Sequence, residues 1–425
     1  MSALPDGEDG VYAVTRRRKA QWSWALTAWA NHGYATTVLV AFFPIFLDKY
    51  WAAGVAGSTS TAFLALANGV ASLAVMVLAP TLGVVADRYA AKKRFLAAFT
   101  ALGVVATAGL ALVGHGQWPV AIGVFALSSI GFFASYSFLD ALLPDVADPM
   151  ETDRVSAFGY AIGYLGGGLI FLIDVLLVLF PHAFGLPDKV VATQVAFVSV
   201  ALWWVVFTLP LFWHVREAPP RKGESAWAEL KATATSLMKD PSLRCFLIGY
   251  WLYIDALGTL QEMAVDYGAK LGFPTDSLIK ALLLVMFVSF PAALFFGWLA
   301  GRIGTRRAIY VGLAALIFVC GWSYFMRTVG QFYVLAAVVG LVQGGVQSLS
   351  RSYFARLVPP GKAGEYFGFY NFLGKFAAVL GPFIVGTVVL VTHDQRLSIF
   401  PLAVSFAVGA WLLSRVREPA APVQP

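Results

Sequence analysis

The sequence predicts an all-α integral membrane protein with twelve transmembrane helices in two pseudo-symmetric six-helix bundles. Three observations lead there. Apolar residues make up 59% of the 425-residue chain and charged residues 12%, whereas a soluble protein averages roughly 45–50% and about 25%. The apolar residues gather into runs long enough for a helix to cross hydrocarbon, roughly 20 residues for about 30 Å. One long polar stretch, His214 to Arg244, divides those runs six and six. Such a composition excludes a soluble enzyme, a nucleic-acid module and a secreted scaffold, because it leaves too little polar surface to cover an apolar core.

In the first half the runs cover Trp22–Leu47, Thr61–Val85, Phe95–Val113, Trp118–Leu143, Val155–Phe180 and Ala192–Phe212. In the second half they cover Cys245–Tyr267, Leu278–Leu299, Ala308–Phe325, Phe332–Phe354, Tyr366–Val391 and Leu397–Leu413. Helices are required, since hydrocarbon offers no partner to a free backbone amide and no run alternates with period two as a barrel strand would. The expected layout is an N-terminal segment at 1–21, a bundle at 22–213, a linker at 214–244, a bundle at 245–414 and a tail at 415–425. Met1 to Lys19 is not a cleavable signal, because Asp6, Glu8 and Asp9 come first and the apolar run after Lys19 is too long. In the linker, Trp227, Leu230, Ala234 and Leu237 recur at helical spacing beside Glu229, Lys231 and Lys239. That pattern is an amphipathic helix on the inner membrane surface, joining the halves.

The formal charge of +7 does not point to nucleic acid, because the basic residues form short clusters between apolar runs. The N-terminal segment, the even-to-odd connections and the C-terminus hold 23 of the 30 Lys and Arg, the other side six. Both termini are therefore expected in the cytoplasm, in a plasma (bacterial inner) membrane. Cys245 and Cys320 lie inside apolar runs, and the five histidines are scattered. No P-loop, His-Glu-x-x-His, Gly-x-Ser-x-Gly or Cys-x-x-Cys occurs, so neither an enzyme nor a bound metal or cofactor is expected.

The two halves repeat each other. Gly83-Val-Val-Ala-Asp87-Arg88, with Lys93 beyond, follows span two, and Gly297-Trp-Leu-Ala-Gly301-Arg302, with Arg307 beyond, follows span eight 214 positions later. Pro144 and Pro359 end spans four and ten, and Phe158-Gly159 and Phe367-Gly368 open spans five and eleven. Duplicated halves are a known plan of membrane transporters. The Gly-x-x-x-Asp-Arg loop resembles the cytoplasmic motif of the major facilitator superfamily. Gly83, Asp87, Arg88, Gly297 and Arg302 are the gating-motif residues this implies, with the latch stronger in the first half because Gly301 replaces the Asp.

A narrower resemblance is carried by Trp24-Ala-Leu-Thr-Ala-Trp29-Ala-Asn31-His-Gly-Tyr34, by Ser156-Ala-Phe-Gly159-Tyr160-Ala-Ile-Gly163-Tyr164 and by Gly344-Gly345-Val-Gln347-Ser-Leu-Ser350-Arg351-Ser352. These are similar to the "unknown major facilitator" branch, itself similar to the fungal vacuolar amino-acid effluxers. Its members usually carry Asp where this chain has Ala28 and Ser where it has His32. The resemblance implies a monomeric secondary transporter of a small polar solute, amino acids first, working by alternating access with H⁺ or Na⁺ as coupling ion. Export of drugs or lipids, and a non-transporting sensor on a transporter scaffold, are the alternatives.

Charges inside a membrane are costly, about 2.5–3.5 kcal/mol each at the centre, and usually paired, cavity-facing or functional. Span seven places Asp255, Glu262 and Asp266 on one stripe with Thr259 beside it, and Asp255 and Glu262 are the expected coupling pair. Span ten offers Gln343, Gln347 and Arg351, the last able to bind a solute carboxylate, to snorkel or to form a structural ion pair. Span one contributes Asn31, Tyr34 and the adjacent His32, which can titrate near neutral pH. Lys375 in span eleven, four residues after Asn371, is expected to pair with Asp255 or Glu262. Asp174 and Asp140 are expected as wet gate residues of lower rank. The resemblance implies that spans one, four, seven and ten line a central cavity.

Overall fold

The computed structural model describes residues 7–53, 57–220, 225–392 and 396–417. Every apolar run becomes a helix. In the first half α1 spans Gly7–Gly33, α2 Gly57–Tyr89, α3 Lys92–Gly109, α4 Trp118–Ala141, α5 Thr152–Leu179 and α6 Lys189–His214. In the second half α7 spans Pro241–Lys270, α8 Thr275–Ile303, α9 Thr305–Ser323, α10 Val329–Leu357, α11 Ala363–Thr392 and α12 Phe400–Ser414. Among the described residues nine of these helices are long and apolar enough to cross a membrane. The apolar core of α12 is shorter, 15 residues after a 3₁₀ turn at Leu397–Ile399.

The first span departs from ordinary winding. After Gly33 the chain continues as a π-helix, Tyr34–Phe42, and again at Leu47–Trp51. β-branched Thr36, Thr37, Val38 and Val40, followed by Pro44 with no amide donor, weaken the i→i−4 ladder there. Short π stretches of this kind are rare and concentrate at functional positions.

Packing repeats after six helices. Within the first half α1 packs on α5 and α6, α3 on α4 and α6, and α2 on α4. The second half repeats this as α7 on α11 and α12, α9 on α10 and α12, and α8 on α10. The halves meet through α2 against α11 and α5 against α8, which are also related by that shift. Each half keeps its own apolar core: one cluster is built almost wholly from α7–α12 and two others from α1–α6.

The amphipathic stretch is a helix, Ala226–Lys239, begun by Ser225, whose hydroxyl accepts from the Ala228 amide at 3.2 Å. It buries Thr233 and Leu237 and leaves Trp227 exposed. It lies against α2, α7 and α11, beneath the contact between the halves.

Candidate functional site

Between the halves lies a cavity of about 450 Å³. Spans one, four, seven and ten all line it, together with parts of α5, α8 and α11. Seven of the residues expected from sequence are in its wall: Asn31, His32, Asp140, Thr259, Gln343, Gln347 and Asn371. Tyrosines the sequence had not singled out as lining, among them Tyr136, Tyr250 and Tyr370, supply much of the remainder. Tyr164 donates to the Gln347 side chain across the halves at 2.5 Å. Gln343 donates to Ser289 at 2.8 Å and accepts from Gln261. Thr259 and Asn31 are the exceptions: the Thr259 hydroxyl and both the amide nitrogen and the amide oxygen of Asn31 are buried with no hydrogen-bond partner. His32, next to Asn31, sits 2.9 Å from the Ala28 carbonyl, which can only accept, so Nδ1 carries the proton.

One end of the cavity is sealed, the end that carries the basic connections. Arg351 of α10 crosses to the first half and is completely enclosed, 1% exposed. Its Nη1 donates to Asp140 Oδ1 of α4 at 2.8 Å, and its Nε and Nη2 donate at 3.0 Å to the hydroxyl and carbonyl of Ser156 of α5. The rings of Tyr160 and Trp24 cover the guanidinium at 4.4 and 4.7 Å. Asn371 of α11 donates to the other oxygen of Asp140 at 3.3 Å. Two side chains of the second half thus hold one carboxylate of the first. A buried pair is tolerable only when every group is satisfied in this way.

Two further contacts lie beyond this pair. Asp153 at the start of α5 accepts from Arg356 at 2.8 Å, from Thr305 at 2.6 Å and from Ser352. Asp87, at the end of α2, accepts from the amides of Gly364 and Glu365, both at 2.9 Å. It therefore caps the N-terminus of α11, whose free amides and partial positive charge suit a carboxylate. A Cβ on Gly83 would stand 2.3 Å from the Gly364 carbonyl oxygen, so only glycine lets α2 come this close. At the related contact a Cβ on Gly297 would stand 2.6 Å from the Ala157 methyl, while Gly301 has open space where Asp87 has its bonds. Arg302 is exposed and rests over the Trp298 ring at 5.3 Å, and Arg88 lies 5.9 Å from the centre of the Tyr89 ring. Asp87 lies past the apolar run of α2; burial pushes its carboxyl up to about 6, and Lys92, 3.7 Å away, opposes that shift.

The remaining expected residues fall elsewhere. Asp255 does not line the cavity; its Oδ1 accepts from the Gly381 amide of α11, at 3.1 Å and within the same half. The side chains of Glu262, Asp266 and Lys375 lie outside the described residues. Tyr34 points into the first half, where its hydroxyl meets Ser128 and Ser129 of α4. Arg351 has its donors committed to protein in this conformation rather than to the cavity or the membrane surface. Asp174 is not wet: it is 0% exposed and accepts from Ser199 at 2.7 Å. Among the described residues no group of three His, Cys, Asp or Glu could hold a metal ion.

Comparison with known proteins follows the geometry. The family model described as "Vacuole effluxer Atg22 like" matches residues 16–422. A Bacillus subtilis protein, "Uncharacterized MFS-type transporter YxiO", is 36% identical over 95% of this chain and 96% of its own. Autophagy-related protein 22 of Eremothecium gossypii is 24% identical over 73% of this chain and 68% of its own. Among solved structures, the proton:xylose symporter XylE superposes with a TM-score of 0.73 at 13% identity, over 95% of this chain and 97% of its own. The transporter FucP in its outward conformation gives 0.72 at 11% identity, over 94% and 98%. At such identities the structural likeness concerns the fold alone.

Proposed function

Since the chain belongs to the Atg22-like vacuole effluxer family of major facilitator transporters, we propose that it is a secondary active transporter of a small polar solute, amino acids first, working by alternating access with H⁺ as the coupling ion. The observation that carries this reading is the Arg351–Asp140 pair, an ion pair at 2.8 Å that joins the two halves at one end of the cavity. A seal made by side chains from opposite halves can be undone by moving the halves apart, with little change inside either one. The basic end is the cytoplasmic one on this reading, so the seal is the inner gate.

The cavity wall supports a solute without net charge. Among the described residues its acidic and basic side chains are Asp140, which Arg351 neutralises, and His32. Amide side chains and tyrosines remain to meet a zwitterion's two charges and its apolar part. Coupling follows from the pair: once Asp140 is protonated, Arg351 loses its counter-charge and the seal weakens. Asp255 and Glu262, with Lys375 as partner, are the second coupling centre proposed here, supported by the contact of Asp255 with the Gly381 amide of α11.

Proteoliposome flux of an amino-acid panel, with and without a pH gradient, tests the reading. Gradient-driven accumulation is expected in the parent protein, with Asp140→Asn retaining exchange but losing accumulation. Accumulation that survives both Asp140→Asn and the double change Asp255→Asn, Glu262→Gln removes the coupling sites. Silence toward every solute removes the transport reading itself.

A further inference from the structure

A second buried carboxyl stands apart from the cavity and from the seal. Asp174 of α5 is completely buried, and its Oδ2 has no hydrogen-bond partner, while Oδ1 is held by the Ser199 hydroxyl of α6. Ser199 bonds the Ala196 carbonyl as well.

The α1 helix brings another unpartnered oxygen to the same level. Gly33 of α1 packs against α5 so closely that a Cβ would lie 3.0 Å from Ile170 Cγ2. One turn further along each helix come Thr37 on α1 and Asp174 on α5. The Thr37 side chain is 0% exposed and its hydroxyl also has no partner. This is the stretch where α1 changes from α- to π-winding, Tyr34–Phe42. Buried polar atoms are nearly always bonded, so two orphaned oxygens beside a rare backbone form call for an explanation.

We propose that Asp174 is a proton-carrying site of the transport cycle, loaded in the sealed conformation and emptied when α1 shifts against α5. This rests on the transporter reading above. An ionised carboxylate here would keep one fully buried oxygen without a protein donor, so the O–H form suits the sealed state. When α1 moves, the carboxyl O–H bond breaks, the proton passes to an entering water molecule, the Ser199 hydroxyl remains a donor to the carboxylate and the Thr37 hydroxyl can become a second.

No other charged group competes for the role. On α6 no Asp, Glu, Lys, Arg or His lies between Lys189 and His214. On α1 the nearby Tyr34 is turned to Ser128 and Ser129, His32 packs on Gly163 and Gly167 of α5 with its Nδ1 held by the Ala28 carbonyl, and Asp48 and Lys49 are exposed at the far end. Tyr164 is the nearest titratable residue of α5 before it, and its hydroxyl is bonded to Gln347. Lys280 of α8, the helix packed on the other face of α5, is exposed.

Infrared spectroscopy of the membrane-reconstituted chain tests the proposal through the C=O stretch of a protonated carboxyl. One such band is expected in the parent, absent from Asp174→Asn and displaced in Ser199→Ala, which loses the hydrogen bond but keeps the acid. At one pH it should be weaker in Arg351→Met, where the seal is broken. Should Asp174→Asn fail to fold, the displacement in Ser199→Ala still assigns the band. A parent spectrum without it, or a band of equal strength in the parent and Arg351→Met, overturns the proposal. No solute enters this measurement, so its result is independent of the flux assay that decides the transport reading.

Discussion

Removing Arg351 should open the basic end of the cavity, and the structure sets the size of the effect. In the sealed state Asp140 is 2% exposed and Arg351 is its only cationic partner among the described residues. Taking one member from such a pair costs about 3–5 kcal/mol, because the other is left charged and dry. Once the halves separate, water reaches Asp140 and the penalty vanishes, so Arg351→Met acts on the sealed state alone. At 1.4 kcal/mol per tenfold, the sealed-to-open ratio should fall by a factor of about 10² to several thousand. Changing both members, Asp140→Asn with Arg351→Met, leaves no stranded charge and should cost only about 1–2 kcal/mol. The coupling energy from that double-mutant cycle is then about 2 kcal/mol or more.

The assay needs a reporter that is hidden only while the seal holds. Ser348 is 0% exposed at the contact, and its carbonyl accepts from the Ser156 hydroxyl at 2.7 Å. Ser348→Cys, with Cys245 and Cys320 replaced, should react slowly with a maleimide in the parent, far faster in Arg351→Met and at an intermediate rate in the double variant. Equal rates in parent and Arg351→Met would mean that the seal is held by Asp87 and Asp153 alone, and the reasoning from the buried pair would be wrong.

Three further outcomes use the same reporter or its absence. Gly83→Val drives a branched side chain onto a backbone oxygen 2.3 Å from its Cβ, so the seal should fail; Gly297→Ala, which meets only a methyl at 2.6 Å, should cost less, and the reverse order of alkylation rates would refute the contact model. Asp87 is held up to about 6, above its usual range, so it binds its proton more tightly when the latch is formed. Latch stability is therefore greatest below the ordinary carboxylate value, falls as pH rises toward 6, and is flat above it. From pH 7 to 5 the seal should gain on the order of 1 kcal/mol, and the parent-to-Asp87→Asn ratio of alkylation rates, which cancels the thiol's own titration, should carry that change. Asn31→Ala removes a buried amide with no protein partner, so solute affinity measured by calorimetry should fall about tenfold, or 1.4 kcal/mol, with thermal stability unchanged or higher; lost stability with unchanged affinity would make Asn31 a packing residue.

How legible the site was depended on how local its signal is. Helix positions followed from hydropathy because hydrocarbon thickness leaves a helix almost no choice of length. The Gly83–Asp87 latch was legible because its parts are four residues apart and recur at Gly297–Gly301. Periodicity, in contrast, fixes which residues of one helix share a face and says nothing of which helix that face will meet. Asp255, Glu262 and Thr259 share a stripe, and from that stripe the sequence ranked them above Asp140. In the structure Asp255 answers the Gly381 amide inside its own half, whereas Asp140 receives Arg351 from 211 positions away.

The same limit hid the π-winding of α1, which no composition signal marks, and with it the setting of Asp174. Sequence position suggested water around that residue, because it lies toward a span end; yet Ser199 and the Gly33–Ile170 contact enclose it. Depth along a span is therefore a poor guide to what an intramembrane acid does. A carboxylate bonded within one half, like Asp255 at Gly381, can stay bonded while the halves rock. One whose cation comes from the other half must lose it when they part, and its protonation is then tied to the conformational step. By that criterion the proposed access control falls to Asp140, whereas Asp174, bonded only within the first half, can respond to the opening of the seal only through the shift of α1 against α5 that accompanies it.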